Sequence, residues 1–263
     1  MIENLNSLML SANTIAVEAG KKIMDIYQQD FDVIEKADKS PVTEADMAAH
    51  HYIIEQLAQI SDYPILSEES AKLPFEERSS WQTYWLVDPL DGTKQFVQRT
   101  DEFCVCIALI HKNEAILGAI HLPVTQDSYY ACRGQGAFKQ TADGSTESIQ
   151  SRTFSSPSII AVSRSHKGDA TSQVLDKIGE HELLISGSAI KACWVAEGKA
   201  DLYPRLWPTS EWDTGAAQCI VEEAGGQLTT LDLKPMRYNT KNDLINPYFL
   251  VFGDKSVDWS KYL

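Results

Sequence analysis

The sequence is poor in positive charge. Its 263 residues hold 23 lysines and arginines against 37 acidic residues, which gives a formal net charge of −14. Long-range repulsion makes such a chain a poor general binder of nucleic acid or of an anionic membrane. We therefore expect no nucleic-acid partner. An anionic substrate would have to be attracted by local cations or by bound metal ions.

Cysteine pairs and long apolar runs are also scarce. The five cysteines include no Cys-x-x-Cys pair, and a reducing, intracellular compartment fits this usage best. The longest unbroken apolar run, Phe103–Ile110, is far shorter than the ~18 residues that a membrane span needs. The first ten residues hold an acid and no basic segment, so we expect no signal peptide. We expect no integral membrane segment.

Hydrophobic spacing divides the chain into two halves. The first thirty residues and the segment after Thr43 repeat apolar residues at helical spacing. Strand-like runs follow, with a hairpin between Phe103–His111 and Ala115–Leu122. Beyond a polar stretch at Thr141–Ser158, strands and helices alternate. We predict an N-terminal α+β domain (1–150) with an antiparallel sheet, a C-terminal α/β domain (151–263) and a cleft between them.

The chemistry is most concentrated at Asp88-Pro89-Leu90-Asp91-Gly92-Thr93, directly after the strand candidate Tyr84–Val87. Two carboxylates three residues apart need a cation to stay close together. Gly92 permits a tight turn, and Gly92-Thr93 is suited to open a short helix whose free N–H groups face an anion. Hard oxygen ligands beside an anion site are typical of Mg²⁺–phosphate binding. The alternative is an ordinary Asp-rich turn.

Three further acidic positions are candidates, and each has an ordinary explanation. Glu68 follows a strand-like run, where ligands often bind in layered α/β folds, but adjacent glutamates are usually solvated. Asp213 lies at a predicted helix start, where an N-cap is the simplest role. Thr43 and Asp46 match a capping box. A capping residue can also ligate a metal ion, so both roles stay open.

Together these residues resemble the inositol monophosphatase-like superfamily of Mg²⁺-dependent, Li⁺-sensitive phosphatases. Ser40–Asp46, Leu66–Glu69, Tyr84–Phe96 and Leu202–Arg205 are similar to its CysQ subgroup, the bacterial 3′(2′),5′-bisphosphate nucleotidases. The similarity covers nearly the whole chain. It implies an α+β or α/β fold, a layered αβαβα sandwich of the sugar-phosphatase type.

The resemblance implies an activity as well as a fold. The expected enzyme hydrolyses 3′-phosphoadenosine 5′-phosphate to AMP and phosphate, and 3′-phosphoadenylyl sulfate to adenylyl sulfate, in sulfur assimilation. Its expected cofactor is Mg²⁺, as two or three ions, and its expected partner is a small nucleotide bisphosphate. The resemblance implies a cytoplasmic monomer or homodimer, and relatives are also described as peripheral on the inner face of the cytoplasmic membrane.

The resemblance also assigns roles to residues. The metal ligands that it implies are Glu68, Asp88, the carbonyl of Leu90, Asp91 and Asp213. Thr93 with Asp46, or with Glu68, would orient and deprotonate the attacking water. The substrate contacts that it implies are Gly92, Thr93, His166, Ser188, Lys191, Arg205 and Asp213. Without the resemblance, His166, Lys191 and Arg205 would most simply be surface or structural residues.

Two other functions are left open by the sequence. An inositol monophosphatase would use the same metals on a different alcohol, and Lys94 and Leu202–Arg205 argue against it. A non-catalytic, metal-dependent sensor of a phosphorylated ligand would be supported by loss of a metal carboxylate or of Thr93. Neither is lost here.

Overall fold

A computed structural model describes residues 2, 4–29, 33–35, 41–71, 73–164 and 169–263. The helices of these residues are α1 (Leu5–Tyr27), α2 (Glu44–Ile60), α3 (Phe75–Arg78), α4 (Thr93–Val97), α5 (Asp169–Ile178), α6 (Ile190–Ala196) and α7 (Gly215–Glu223). The strands are β1 (Val33–Glu35), β2 (Pro41–Thr43), β3 (Ile65–Ser67), β4 (Thr83–Asp91), β5 (Cys104–His111), β6 (Glu114–Leu122), β7 (Asp127–Cys132), β8 (Ala137–Gln140), β9 (Thr146–Ile149), β10 (Ser158–Ser163), β11 (His181–Ser186), β12 (Leu202–Arg205), β13 (Gln227–Thr230) and β14 (Phe249–Phe252). Short 3₁₀ helices occupy Glu68–Ser70, Glu211–Asp213 and Trp259–Tyr262.

Two large sheets organise the molecule. The first has seven strands in the order β3-β4-β5-β6-β7-β8-β9, and all its pairs are antiparallel except β3 with β4. The second has five strands in the order β11-β10-β12-β14-β13, with β10 parallel to both of its neighbours. β1 and β2 form a separate antiparallel pair.

Helices cover both sheets and fill the space between them. α1 and α2 pack on one face of the first sheet, and α7 packs on its other face. α6 contacts both α7 and the second sheet, whose outer face carries α5 and the last 3₁₀ helix. This sequence of layers is the predicted αβαβα sandwich, which is confirmed.

The alternation of side chains along β5 shows how the layers form. Cys104 and Cys106 point into the core shared with α6 and α7, whereas Val105 and Ile107 point into the core shared with α1 and α2. All four are buried, because a central strand covered on both faces exposes neither side. Cys104 and Cys106 therefore share one face of β5.

One part of the predicted organisation differs from the structure. The polar stretch expected as a boundary includes β9, which pairs with β8 at the edge of the first sheet. An edge strand with exposed side chains is polar for the same reason as a linker, since both face water. The passage between the sheets lies at residues 150–157. The division into domains 1–150 and 151–263 stays a prediction.

Within the described ranges, no helix combines the length and the apolar character that crossing a bilayer requires.

Candidate active site

Strand β4 delivers two carboxylates to one point. Asp88 is 2% exposed, and its Oδ1 accepts a hydrogen bond from the Leu90 amide at 3.0 Å. The register of β4 against β5 shifts between Asp88 and Asp91, which lets both side chains approach the same place. Gly92 has φ 96°, and a Cβ there would lie 2.8 Å from the Glu102 carbonyl oxygen. The predicted turn is therefore present, and α4 begins at Thr93 as expected.

A third carboxylate comes from the other half of the chain. Asp213 ends a 3₁₀ helix, and its Oδ2 accepts a hydrogen bond from the Ser210 amide at 2.9 Å. Oxygens of Asp88, Asp91 and Asp213 all lie within 4.8 Å of one another. Glu68 lines the same cavity. The expected N-cap role of Asp213 is wrong, because Thr214 is the N-cap of α7 and Asp213 closes the capping box of the preceding 3₁₀ helix, in which Ser210 is the N-cap.

The cluster is electrostatically unfavourable without a cation. Burial, followed by repulsion from Glu68, Asp91 and Asp213, raises the pKa of Asp88 well above its usual value. Burial and the Asp91 charge also raise the pKa of Asp213 well above its usual value. Burial raises the pKa of Asp91 less, since Lys191 and the Ala189 amide lower it. A divalent cation would relieve this repulsion, and the all-oxygen donor set fits a hard ion such as Mg²⁺.

Asp46 is connected to the cluster through Thr93. Its Oδ2 accepts hydrogen bonds from the Thr43 amide (2.7 Å) and hydroxyl (2.6 Å), which completes the predicted capping box of α2. Its Oδ1 accepts the Thr93 hydroxyl at 3.0 Å, and the same hydroxyl lies 3.2 Å from the Leu90 carbonyl. Burial raises the pKa of Asp46, while these hydrogen bonds lower it. Asp46 therefore caps a helix and holds the Thr93 hydroxyl.

Cationic residues line the same cavity as the acidic cluster, and we call the two groups the cationic end and the acidic end of the site. Lys191 on α6 is 2% exposed, and its Nζ donates to the Ser188 carbonyl and lies 5.1 Å from the Tyr203 ring centroid. Burial lowers the pKa of Lys191 to about 8, although the Asp91 carboxylate raises it. Within the described part of the chain, Ser188 Oγ and Arg205 Nε are buried without a hydrogen-bond partner. Unpaired buried groups are costly, so this pair indicates a place for a ligand.

The loop that carries Ser188 is tied to the first sheet. The Gly187 amide donates to Glu102 Oε2 at 2.8 Å, and Arg164 Nε donates to the same oxygen at 2.8 Å. The Ala189 amide donates to Asp91 Oδ2 at 2.5 Å. These bonds connect the loop before α6 directly to the acidic cluster. They fix the position of the loop that carries Ser188 relative to Asp91.

A single cavity of about 710 Å³ contains both ends. The predicted site residues that line it are Glu68, Asp88, Leu90, Asp91, Gly92, Thr93, Ser188, Lys191, Arg205 and Asp213. Asp46 does not line the cavity and reaches it through the Thr93 hydroxyl. His166 lies outside the described residues.

Comparison with known proteins agrees with this geometry. The inositol monophosphatase family matches residues 4–251 of the chain. The chain belongs to the inositol monophosphatase family. The 3′(2′),5′-bisphosphate nucleotidase CysQ of Haemophilus influenzae is 40% identical over 258 residues, covering 97% of this chain and 94% of the relative. The protein of the same description from Escherichia coli K12 is 43% identical over 240 residues, covering 90% and 96%.

A solved structure gives the same result for the fold. The crystal structure of CysQ from Bacteroides thetaiotaomicron, described as a bacterial member of the inositol monophosphatase family, superposes with a TM-score of 0.84 at 39% identity. The match covers 95% of this chain and 98% of that chain. The resemblance found from the motifs is confirmed.

Trp207 is a cavity residue that the sequence did not predict as part of the site. Trp207 lines the cavity beside Arg205 and Pro208 and is 50% exposed. The feature of the sequence that could have identified Trp207 is its position two residues after Arg205, a predicted substrate contact.

Proposed function

We propose that this chain is a phosphatase that removes the 3′-phosphate from 3′-phosphoadenosine 5′-phosphate, giving AMP and phosphate, and that it acts likewise on 3′-phosphoadenylyl sulfate. The observation that carries the proposal is the pairing of a partly buried carboxylate cluster with the buried Lys191 and the half-buried Arg205 in one cavity. A ligand with two separate anionic groups matches such a site. The names of the Haemophilus influenzae and Escherichia coli relatives support the same activity.

The carboxylate end would hold the metal ions. Glu68, Asp88, Asp91, Asp213 and the Leu90 carbonyl are the ligands that we assign, for two or three Mg²⁺ ions. When bound, such ions neutralise charge on the transferred phosphoryl group and make water a stronger nucleophile at neutral pH. The protein contributes the rigid placement of the oxygens, which β4 and the capping bonds of Asp213 provide. The family resemblance also implies inhibition by Li⁺.

Thr93 and Asp46 would handle the proton of the attacking water. In this step Thr93 Oγ1 takes the proton of the water while its own proton moves to Asp46 Oδ1, along the existing 3.0 Å hydrogen bond. The bonds from Thr43 hold the Asp46 carboxylate in place for this role. This hydrogen bond favours Asp46 over Glu68 as the base that acts through Thr93. The amides of Gly92 and Thr93 are assigned to the phosphoryl oxygens.

The cationic end would bind the 5′ part of the nucleotide. Lys191 and Arg205 supply positive charge for the 5′-phosphate, and guanidinium groups bind phosphate in a bidentate manner. The buried Ser188 hydroxyl supplies one more polar contact. Trp207 at the exposed side of the cavity supplies an aromatic surface for the base. His166 is assigned to the nucleotide by resemblance alone.

The test is phosphate release by the purified protein from 3′-phosphoadenosine 5′-phosphate and from inositol 1-phosphate, in Mg²⁺ with and without Li⁺. We expect a strong preference for the nucleotide and inhibition by Li⁺. Preference for the inositol ester would overturn the substrate and keep the metal chemistry. Hydrolysis of neither, with Mg²⁺ binding intact, would favour a phospho-ligand sensor. A cytoplasmic location and a monomeric or homodimeric state remain predictions.

A further inference from the structure

Two buried thiols lie directly beside the acidic cluster. Cys104 and Cys106 are 0% and 1% exposed, and their sulfurs are 3.7 Å apart. Cys104 Sγ also lies 3.7 Å from Asp91 Oδ2. The pairing of β4 with β5 explains this arrangement, because Asp91 stands opposite Cys104 across the strands. One ligand atom from each of the three residues falls within 4.8 Å of the other two.

These spacings match a soft-metal site. Thiolate sulfurs bind zinc at about 2.3 Å and carboxylate oxygens at about 2.0–2.2 Å, so two thiolates on a tetrahedral ion are roughly 3.8 Å apart. We infer that Asp91, Cys104 and Cys106 form a second cation site, selective for thiophilic divalent ions such as Zn²⁺ or Cd²⁺. Soft sulfur ligands separate this site from the oxygen-only cluster, which prefers hard ions.

The cavity leads such an ion to Asp91, whose Oδ2 lies 3.7 Å from Cys104 Sγ. Asp91 lines the cavity, whereas neither cysteine does. An ion that enters first meets the Asp91 carboxylate and then the two sulfurs behind it. As each sulfur binds, its thiol proton passes to solvent, so the divalent charge replaces up to two protons. A hard ion gains little from this exchange.

Sharing Asp91 couples the two sites. A thiophilic ion held by Asp91 and the two sulfurs takes that carboxylate from the oxygen cluster. Phosphatase activity should therefore fall as the soft site fills, even with Mg²⁺ in excess. This consequence rests on the proposed function, whereas binding at the sulfurs does not.

Cd²⁺ titration of the purified protein in Mg²⁺ tests the binding, because Cd²⁺–thiolate bonds absorb in the ultraviolet. We expect one such ion per chain, at least tenfold weaker binding in Cys104→Ser and in Cys106→Ser, and unchanged binding in Cys219→Ser. Cys219 is a matched control, since it is also a buried thiol and it does not line the cavity. Cys106→Ala provides a second variant, and circular dichroism verifies that each variant is folded.

The activity assay is then run on the same samples. We expect Cd²⁺ to inhibit the wild type and Cys219→Ser, and inhibition to need at least tenfold more Cd²⁺ in Cys104→Ser. Absence of the thiolate absorption in the wild type, or its equal loss in Cys219→Ser, would overturn the soft site. The absorption without any phosphatase activity would support the soft site and reject the proposed function. Phosphatase activity without the thiolate absorption would reject the soft site and support the proposed function.

Discussion

The acidic and cationic ends of the cavity are built in different ways. At the acidic end, Asp88 and Asp91 come from one strand, and a tight turn at Gly92 places Thr93 beside them. At the cationic end, Lys191 comes from α6 and Arg205 from β12. The first arrangement centres on one local segment, which Glu68 and Asp213 join from distant parts of the chain, whereas the second exists only once the second sheet has formed. Under the proposed function, the local segment would supply most of the reacting groups and the second sheet would supply the choice of substrate.

This difference predicts separate consequences for mutations at the two ends. Changes at the acidic end should lower turnover of every phosphate ester, since all substrates share the phosphoryl group. Changes at the cationic end should weaken the binding only of substrates that carry a second anionic group. The comparison fails if both kinds of variant affect both kinds of substrate equally.

The largest effect is expected from Asp91→Asn. Losing this carboxylate should lower kcat for the nucleotide and for inositol 1-phosphate by roughly 10³-fold or more, the scale of a lost electrostatic contact to the reacting group. Steady-state kinetics in Mg²⁺ measure this fall in kcat on both substrates. Without Mg²⁺ the variant should melt no lower than the wild type, because one buried like charge has been removed. Near-normal turnover would disprove the metal role of Asp91.

The next effect concerns the proton path. Thr93→Val keeps the side-chain shape and removes the hydroxyl, so kcat should fall about 10²-fold or more on both substrates while KM changes little. Thr93→Ser, the matched control, should keep most of the activity. Asp46→Asn should give a similar loss, and combining it with Thr93→Val should add little, because the two residues act as one unit. A fully additive double variant would separate Asp46 from Thr93 and point to Glu68.

A smaller and more selective effect is expected at the cationic end. Lys191→Met and Arg205→Met each remove a charge, and we expect KM for the bisphosphate nucleotide to rise about 10–100-fold, as for loss of a charge-assisted hydrogen bond. KM for inositol 1-phosphate should change less than about twofold, since that substrate has no second anion. Lys234→Met removes an exposed lysine that lies outside the cavity and serves as the charge control. Equal increases on both substrates would remove Lys191 and Arg205 from the specificity pocket.

The sequence predicted the local parts of the molecule well. Periodic apolar residues are sufficient to find α1 and α2, and the capping box at Thr43 and Asp46 marks where α2 begins. The turn at Gly92 was predictable because glycine readily adopts the positive φ that the turn requires. These features depend on neighbours within a few positions.

Contacts between distant segments were beyond such reasoning. Nothing near Asp213 in sequence indicates that it meets Asp88 and Asp91, and only the motif resemblance suggested it. The strand β9 was hidden because edge residues that face water carry no apolar pattern. The proximity of Cys104 to Asp91 likewise depends on the register of β4 against β5. Register is a property of the folded sheet, so composition and spacing do not reveal it.

Trp207 is expected to have the smallest effect at the cationic end, and it separates recognition of charge from recognition of the base. An aromatic ring stacked on a base contributes about 1–3 kcal/mol, so Trp207→Ala should raise KM for the nucleotide roughly tenfold. Trp207→Phe should keep most of this affinity, since it retains a flat aromatic surface. Ribose 3,5-bisphosphate has both phosphates and no base, so its KM should be unchanged by either variant.

The same assay decides how far the division of the cavity extends. Weaker binding of ribose 3,5-bisphosphate in Trp207→Ala would mean that the tryptophan shapes the phosphate pocket and not the base pocket. An unchanged KM for the nucleotide would remove Trp207 from substrate binding altogether. The expected pattern, a loss confined to substrates with a base, would divide the cavity into three parts: carboxylates for the reacting phosphate, cations for the second phosphate and an aromatic surface for the base.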